Sequence, residues 1–591
     1  MGLKTFKGGV HPMDGKDLSK SKPIKELLPE GELVFPLSQH IGAPATPIVA
    51  VGDAVLKGQK IAEAGGFVSS PIYSSVSGTV KAIEPRRVTV GDMVNSIIIE
   101  SDGEFHEVAY EETEDVTKLS NEEIIGKIKE AGVVGMGGAG FPTHVKLSPK
   151  EPDKIEYIGG VHPMDGKDLS KSKPIKELLP EGELVFPLSQ HIGAPATPIV
   201  AVGDAVLKGQ KIAEAGGFVS SPIYSSVSGT VKAIEPRRVT VGDMVNSIII
   251  ESDGEFHEVA YEETEDVTKL SNEEIIGKIK EAGVVGMGGA GFPTHVKLSP
   301  KEPDKIEYII ANCAECEPYL TSDYRRMIEE PEKLVEGMKI ILQLFPNAKG
   351  IFGVEDNKPD CIEKLQALVA GDSRMEVCPL QTKYPQGGER QLIFATTGRS
   401  INSKMLPADA GCIVDNVETM VAIYNAVRFG RPLTNRIFTV TGDAVCEPRN
   451  FYISIGTSYS QLLEAAGGLV APAKKMIAGG PMMGFALFGI DVPTTKTTSA
   501  LLCLTEDEAS KYETTACINC GRCVDACPEA LVPSRLADYS EHHQMDMFEQ
   551  WYGLECVECG SCSYVCPARR PLAQSVKTMK KFVLAEKRKK N

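Results

Sequence analysis

Hydrophobic and polar positions change their period several times along this chain. Between Val202 and Ala213, and again between Ser220 and Val231, apolar and polar residues alternate in short runs broken by glycines. That pattern predicts short β-strands closing a small barrel. Ser271-Asn272-Glu273-Glu274 then has the form of a capping box, with Ser271 at the N-cap and Glu274 as its reciprocal partner. Ile275, Ile276 and Ile279 come next at helical spacing, which predicts a helix ending near Gly283. Ile306 to Asn312 is an unbroken strand-like run. Further on, Val532 to Leu554 reads as helical, with Leu536, Met545, Met547, Phe548 and Trp551 as core candidates. No apolar run reaches the roughly 18–20 residues that a membrane-spanning helix needs.

Part of this pattern occurs twice because the residues do. Residues 8–158 recur letter for letter as 159–309, so the 591-residue chain holds 440 residues of unique sequence. Natural repeats drift, since exposed positions tolerate substitution at little cost, and solenoid units are only about 20–50 residues long. Identity over 151 positions points to a recent duplication, an artificial join or an error in the gene sequence, ahead of a functional tandem domain. The copies differ in how they continue. The second extends its strand as Ile309-Ile310-Ala311-Asn312, whereas the first breaks off after Ile158 into Gly159-Gly160. The second copy is therefore expected to complete a working site and the first to be redundant.

Composition narrows the class. A 42% hydrophobic, 24% charged chain is ordinary for folded, soluble protein, and its length implies several domains. The formal charge is −17, of which each repeat supplies −8, and there is one Trp. Neither feature supports nucleic-acid binding. Met1 to Phe6 lacks a secretory apolar stretch and the Ser/Thr of a myristoylation signal. The chain is expected to stay on the side of the membrane where it is made.

All 15 cysteines lie after residue 312. Eight form two runs of one spacing, Cys517-x2-Cys520-x2-Cys523-x3-Cys527-Pro528 and Cys556-x2-Cys559-x2-Cys562-x3-Cys566-Pro567. Such short loops wrap three thiolates around one face of a cubane, and the Cys before proline reaches the other cluster. Cys517, Cys520, Cys523 and Cys566 are expected to hold one [4Fe–4S] centre, and Cys556, Cys559, Cys562 and Cys527 the other. Structural zinc and disulfides are the alternatives. Cys361, Cys378, Cys412, Cys446 and Cys503 read as small buried hydrophobes. Cys313 and Cys316 have no partner pair and are assigned no metal.

Gly286-Met287-Gly288-Gly289-Ala290-Gly291-Phe292-Pro293-Thr294-His295-Val296-Lys297 places four glycines in six residues. Such a loop lets backbone amides approach an anion, with Lys297 to meet its charge. A plain flexible turn fits that run equally well on its own. His11 and His162, in Gly-Gly-Val-His-Pro, read as turn residues.

The order of motifs resembles the flavin-binding subunit of respiratory complex I. Gly286–Thr294 is similar to that family's Gly-x-Gly-Gly-Ala-Gly-Phe-Pro-Thr loop, and Asn312-Cys313-Ala314-Glu315-Cys316-Glu317-Pro318 to its Asn-x-Asp-Glu-x-Glu-Pro segment. Gly387-Gly388-Glu389-Arg390 resembles its Gly-Glu-Glu segment, and Asp415-Asn416-Val417-Glu418-Thr419 its Asn-Asn-Val-Glu-Thr. The resemblance implies that Gly286, Gly288 and Lys297 hold the FMN phosphate. Asn312, Gly388, Asn416 and Thr419 would line the flavin, and Phe292, Glu317 and Glu389 would face NAD(H). Gly289, Gly291 and Glu315 complete the implied cofactor-binding set. No catalytic side chain is implied, because hydride passes directly between nicotinamide and flavin. The chain departs from the family at Met287 (Arg there), His295 (Gly), Ala314 (Asp), Arg390 (Glu) and Asp415 (Asn).

The stretch from Val202 to Val231 looks like a lipoyl/biotinyl-type barrel-sandwich module. Its Glu214–Val219 segment lacks a modifiable lysine, which implies docking and not a swinging arm. Phe438–Asp443 through Leu463–Gly468 resembles a β-grasp insertion. In this order, over essentially the whole unique chain, the modules resemble the C subunit of the Rnf electron-transport complex. The resemblance implies a multidomain α+β chain. Its expected ranges are a first barrel-sandwich domain (1–115), a truncated duplicate of the flavin-domain start (116–158) and a second barrel (159–266). A complex I flavin-subunit-like α/β domain (267–430), a β-grasp domain (431–505), a helical two-cluster ferredoxin domain (506–576) and a basic tail (577–591) complete the chain. It further implies a peripheral subunit on the cytoplasmic face of the membrane. That subunit would move electrons between NAD(H) and ferredoxin through FMN and two [4Fe–4S] clusters, beside membrane and ferredoxin-like Rnf partners that translocate Na+ or H+. Two rivals remain: a soluble NADH-dependent flavin/iron–sulfur reductase without ion coupling, and a non-enzymatic cluster adaptor. The tail from Lys577 has seven Lys or Arg in 15 residues and would meet anionic lipid, an acidic partner or solvent alone.

Overall fold

The computed structural model describes residues 28–39, 42–66, 68–88, 93–110, 113, 119–134, 142–146, 161, 163, 165–507 and 509–590. His11, His162 and the first copy's glycine loop lie outside these residues. The chain forms two compact units, Met1–Tyr157 and Ile158–Asn591.

In the first unit, strands Glu32–Pro36, Met93–Ser101, Gly78–Arg87 and Ala54–Val55 form one antiparallel sheet, in that order. Thr46–Pro47, Lys60–Glu63 and Ile72–Tyr73 form a second, three-stranded sheet. Side chains alternate across a strand, so Ile97 and Ile99 enter the core with Phe35, Ile61 and Val80. Helix Asn121–Glu130 comes after the barrel, its first turn closed by the Ser120/Glu123 capping box.

The second unit repeats this barrel, with the same register and the same bulge, between Val231 and Ala233. Helix Asn272–Glu281 carries the predicted Ser271/Glu274 capping box. Burial separates the copies. Ile275 and Ile279 are fully buried, whereas Ile124 and Ile128 are half-exposed. Val284 is 1% exposed and its twin Val133 41%. The second helix belongs to a core with Ile306, Ile309, Met338 and Met420, supplied by the second copy's completed strand and by residues beyond it.

That core lies on a parallel sheet ordered Met375–Leu380, Lys349–Glu355, Tyr308–Cys313, Cys412–Asn416. The chain starts at Tyr308–Cys313, winds outward through two strands and returns to the opposite side as Cys412–Asn416. The point where strand order reverses leaves a crevice at the strands' carboxyl ends, the usual ligand position in such sheets. Beyond it, a six-stranded sheet runs Phe485–Ala486, Lys475–Ala478, Ala500–Leu504, Asn435–Thr441, Arg449–Ser454, Lys176–Leu178. Its last strand comes from the segment before the barrel and pairs parallel to Arg449–Ser454. The expected barrel range 159–266 therefore includes an edge strand of another domain.

The C-terminal cysteine runs are related by an offset of 39 residues, visible in the backbone. Asn519 and Glu558, Gly521 and Gly560, and Ala530 and Arg569 all have positive φ. Between the runs, the single helical stretch expected over Val532–Leu554 is two helices, Pro533–Glu541 and Met545–Gln550, separated at His543, whose φ is +55°. Leu536 and Phe548 are buried, but Met545 and Trp551, at the two ends of the second helix, are exposed and Met547 is only half-buried. Helix Leu572–Lys590 closes the domain, burying Val576, Met579 and Val583.

Candidate functional site

The glycine loop is held shut at its base. Val285 bridges Pro293, and the Gly286 N–H donates to the Phe292 carbonyl at 2.8 Å. The Met287 N–H donates to Thr419 Oγ1 at 2.9 Å, while the Met287 side chain, where the complex I family has Arg, enters the core. Gly288 lies against Asn416, whose Cβ would stand 2.9 Å from any Cβ added there. Asn416 caps helix Val417–Phe429, accepting from the Glu418 N–H at 2.9 Å.

This loop forms one wall of an open cleft of about 2470 Å³ at the switch point. Of the expected cofactor residues, Gly286, Gly288, Gly289, Gly291, Phe292, Lys297, Asn312, Glu315, Glu317, Gly388, Glu389 and Asn416 all line it. Thr419 does not. It is wholly buried behind the loop and acts on it through Met287. Lys297 donates to Asp415 Oδ1 at 2.9 Å and to the Val414 carbonyl at 2.8 Å. Its charge is thus partly met by the very residue that departs from the family's Asn. Asn312 donates to the Gly387 carbonyl at 2.8 Å, tying two of the motifs together.

The Asn312–Pro318 segment is tightly clamped. Lys167 is buried, and its Nζ donates to the carbonyls of Glu315, Glu317 and Leu320 at 2.8, 3.0 and 2.6 Å. Glu315 and Tyr319 take left-handed backbone conformations, with φ of +47° and +69°, which the clamp must maintain. Nothing in the sequence pattern marked Lys167, since its acceptors are backbone groups roughly 150 positions away. The Glu315 carboxylate accepts from the Asp323 and Tyr324 N–H groups at 2.7 and 3.2 Å, at the start of helix Ser322–Glu329. Burial raises its pKa against the pull of Lys167.

Glu317 accepts from the Met483 and Met482 N–H groups at 2.7 and 3.3 Å, and burial pushes its carboxyl up to about 7. Asp323 accepts from Asn416 Nδ2 at 2.7 Å, and burial with the neighbouring Glu315 pushes it up to about 8. Burial likewise raises Glu389. Burial thus shifts these acids of the cleft toward their neutral form, which suits a polyanionic occupant.

The cluster domain meets this cleft directly. Cys559 and Val557 line it, and buried Tyr384 donates its hydroxyl to the Cys559 carbonyl at 2.7 Å. Arg390, another departure from the family, donates to Glu529 at 2.7 Å and Glu555 at 3.0 Å. The inner part of the expected basic tail is structural: Lys580 donates to the Cys556 carbonyl at 2.6 Å and pairs with Glu558 at 3.4 Å. Cys527, Cys556, Cys559 and Cys562, the four thiols expected to hold one centre, line a single pocket. That donor set fits a cubane cluster. Cys517 and Cys520 are exposed, and Cys523 shares a small core with both Cys562 and Cys566. Among the scattered cysteines, Cys446 is exposed and Cys378 only half-buried, contrary to the expectation of burial. Cys446 lies in the loop between strands Asn435–Thr441 and Arg449–Ser454, where loops run over the surface.

A glycine loop at the switch point of a parallel sheet, opening on a domain of paired cysteine runs, defines a flavin and iron–sulfur electron-transfer protein. Comparison with known proteins is consistent along the chain. The Nuo51 FMN-binding domain matches residues 128–159 and 279–425, and the RnfC barrel sandwich hybrid domain matches 4–104 and 155–255. An SLBB domain matches 437–486 and a 4Fe-4S dicluster domain 516–569. The C subunit of the Na(+)-translocating ferredoxin:NAD(+) oxidoreductase complex of Acetobacterium woodii is 44% identical over 436 residues, covering 74% of this chain and 98% of that protein. Its counterpart in the proton-translocating ferredoxin:NAD(+) oxidoreductase complex of Clostridium ljungdahlii is 44% identical over 437 residues, covering 72% and 93%. The chain belongs to the family of Rnf complex C subunits. An NAD+-reducing [NiFe]-hydrogenase aligns in its H2-reduced and air-oxidised states with TM-scores of 0.36 and 0.35 and 17% identity. Those alignments cover 55% and 56% of this chain, and 63% and 60% of the hydrogenase chains. The FMN-binding domain and the relatives agree with neither the uncoupled reductase nor the cluster-only adaptor, and the dicluster match sets aside zinc.

Proposed function

We propose that this chain is the NAD(H)-side subunit of an ion-translocating ferredoxin:NAD+ oxidoreductase, peripheral on the cytoplasmic face. Partner subunits would carry the Na+ or H+ pathway, since no helix among the described residues is long and apolar enough to cross a membrane. Gly286, Gly288, Asn312, Gly388 and Asn416 would hold FMN, with Phe292, Glu317 and Glu389 toward the nicotinamide. FMN supplies the exchange between hydride chemistry and single-electron transfer. The chain's residues align the rings, exclude water and keep the acids of the cleft from repelling an anion.

One observation carries this reading: Cys559 lines the same cleft as the glycine loop. It supports a route in which the centre held by Cys527, Cys556, Cys559 and Cys562 stands beside the flavin. The centre held by Cys517, Cys520, Cys523 and Cys566 would then face the next carrier. Anaerobically purified protein should contain flavin and bleach its flavin band, then its cluster absorbance, on addition of NADH. Protein purified with clusters but without flavin, and silent to NADH, would overturn the proposal.

A further inference from the structure

Arg436 falls between the flavin-domain and SLBB matches, which end at 425 and begin at 437. It is the second residue of strand Asn435–Thr441, is 2% exposed, and lines the cleft with Gly288 and Asn416. Its Nη1 donates to the Lys496 carbonyl at 2.7 Å and its Nε to the Ile437 carbonyl at 3.4 Å. Both acceptors are neutral. The acids nearby are otherwise engaged: Glu418 pairs with Arg326 and accepts from the Ile437 N–H at 3.2 Å, and Asp323 accepts from Asn416 at 2.7 Å. Several other cations of the cleft face acids, as Lys297 does Asp415, Arg390 does Glu529, and Arg399 does Glu307. Among the described residues Arg436 is thus a buried cleft cation with no acid at ion-pair distance, and Glu418 and Asp323 act on it only as nearby charges. A desolvated guanidinium in that position is costly unless an anion meets it.

The surroundings fit an anion. Helix Val417–Phe429 begins at Asn416, and a helix start presents unpaired N–H groups and partial positive charge. Gly288 approaches Asn416 more closely than a residue with a Cβ could. We propose that Arg436 binds the phosphate of the cofactor, and so makes the cleft select FMN over its dephosphorylated form. This rests on the flavin reading above. The planar fork of arginine suits a phosphate better than the point charge of lysine.

The test uses the full chain, stripped of flavin and titrated with FMN and with riboflavin by fluorescence quenching. Wild type should prefer FMN. Arg436→Gln should reduce that preference about tenfold to a hundredfold, as loss of a charged hydrogen bond implies, and leave riboflavin affinity unchanged. Arg436→Lys should recover part of the preference. An unchanged ratio in Arg436→Gln, or equal loss of both flavins, would overturn the proposal. Should Arg436→Gln fail to fold, Arg436→Lys decides alone: a severalfold drop in the ratio supports the phosphate role, and an unchanged ratio refutes it. Wild type that binds neither flavin would instead sink the flavin reading itself.

Discussion

Between about pH 4.5 and 7 the folded chain holds a proton on Glu317 that the unfolded chain would release. Its carboxyl rises from 4.5 to about 7 through burial. This group therefore favours folding below its unfolded pKa and loses that contribution as the pH climbs through about 7. Glu317→Gln should remove a pH-dependent penalty on the order of 3 kcal/mol. The gap in thermal stability between acidic and mildly alkaline buffer should narrow, and an unchanged gap would show Glu317 ionised throughout. Lys297 makes a second case. Lys297→Ala leaves Asp415, whose side chain is 0% exposed, as a buried unpaired charge, costing about 3–5 kcal/mol, and should lower FMN occupancy. Lys146→Ala, the same change in the first copy, should leave flavin content as it is; equal loss from both would refute the assignment to the second copy. Most cleft residues were legible only through the resemblance to the complex I flavin subunit, because a glycine run by itself announces close backbone approach and a plain turn equally well. Lys167 and Arg436 were not, because what makes each matter is a partner far away in sequence.

At the scale of elements, what could be read were the local devices. The Ser271/Glu274 box joins groups three residues apart, so its signal is complete within one turn. The break at His543 had no such signal: no proline or glycine stands between Glu541 and Met545, and the packing of Phe548 and Leu536 in one core decides it. Helix Glu389–Thr397 shows how a substitution joins elements. Its Arg390 pairs with Glu529 and Glu555 of the cluster domain. Arg390→Glu restores the complex I family's residue but sets it against two acids, and like charges so placed cost several kcal/mol. In rapid-mixing experiments NADH should still bleach the flavin at the wild-type rate, while cluster bleaching slows. If both steps keep their rates, the ion pairs do not hold the domains in their electron-transfer arrangement.

At the scale of the whole molecule, one sequence adopts one barrel twice but reaches two states of burial. Fold class and module order were legible through the resemblance of the motifs, in their order, to the Rnf C subunit, while periodicity by itself announced only short strands and single helix faces. Which copy is completed was legible only from the strand continuing past Ile309, since everything before it is shared. The uncovered Val133 and buried Val284 express that difference in a form that isotopes can read. Digestion of the deuterated protein releases Ser120–Val134 and Ser271–Val285 as the same peptide, of one mass and one retention time. Their amides opened to solvent from different surroundings, and local opening depends on how much packing must be undone. The peptide should therefore appear as two isotopic envelopes of equal area, one light and slow to exchange and one heavy and fast. A single envelope at all times would mean that the helix has one environment, and that the duplicated segment is not present twice in the folded protein.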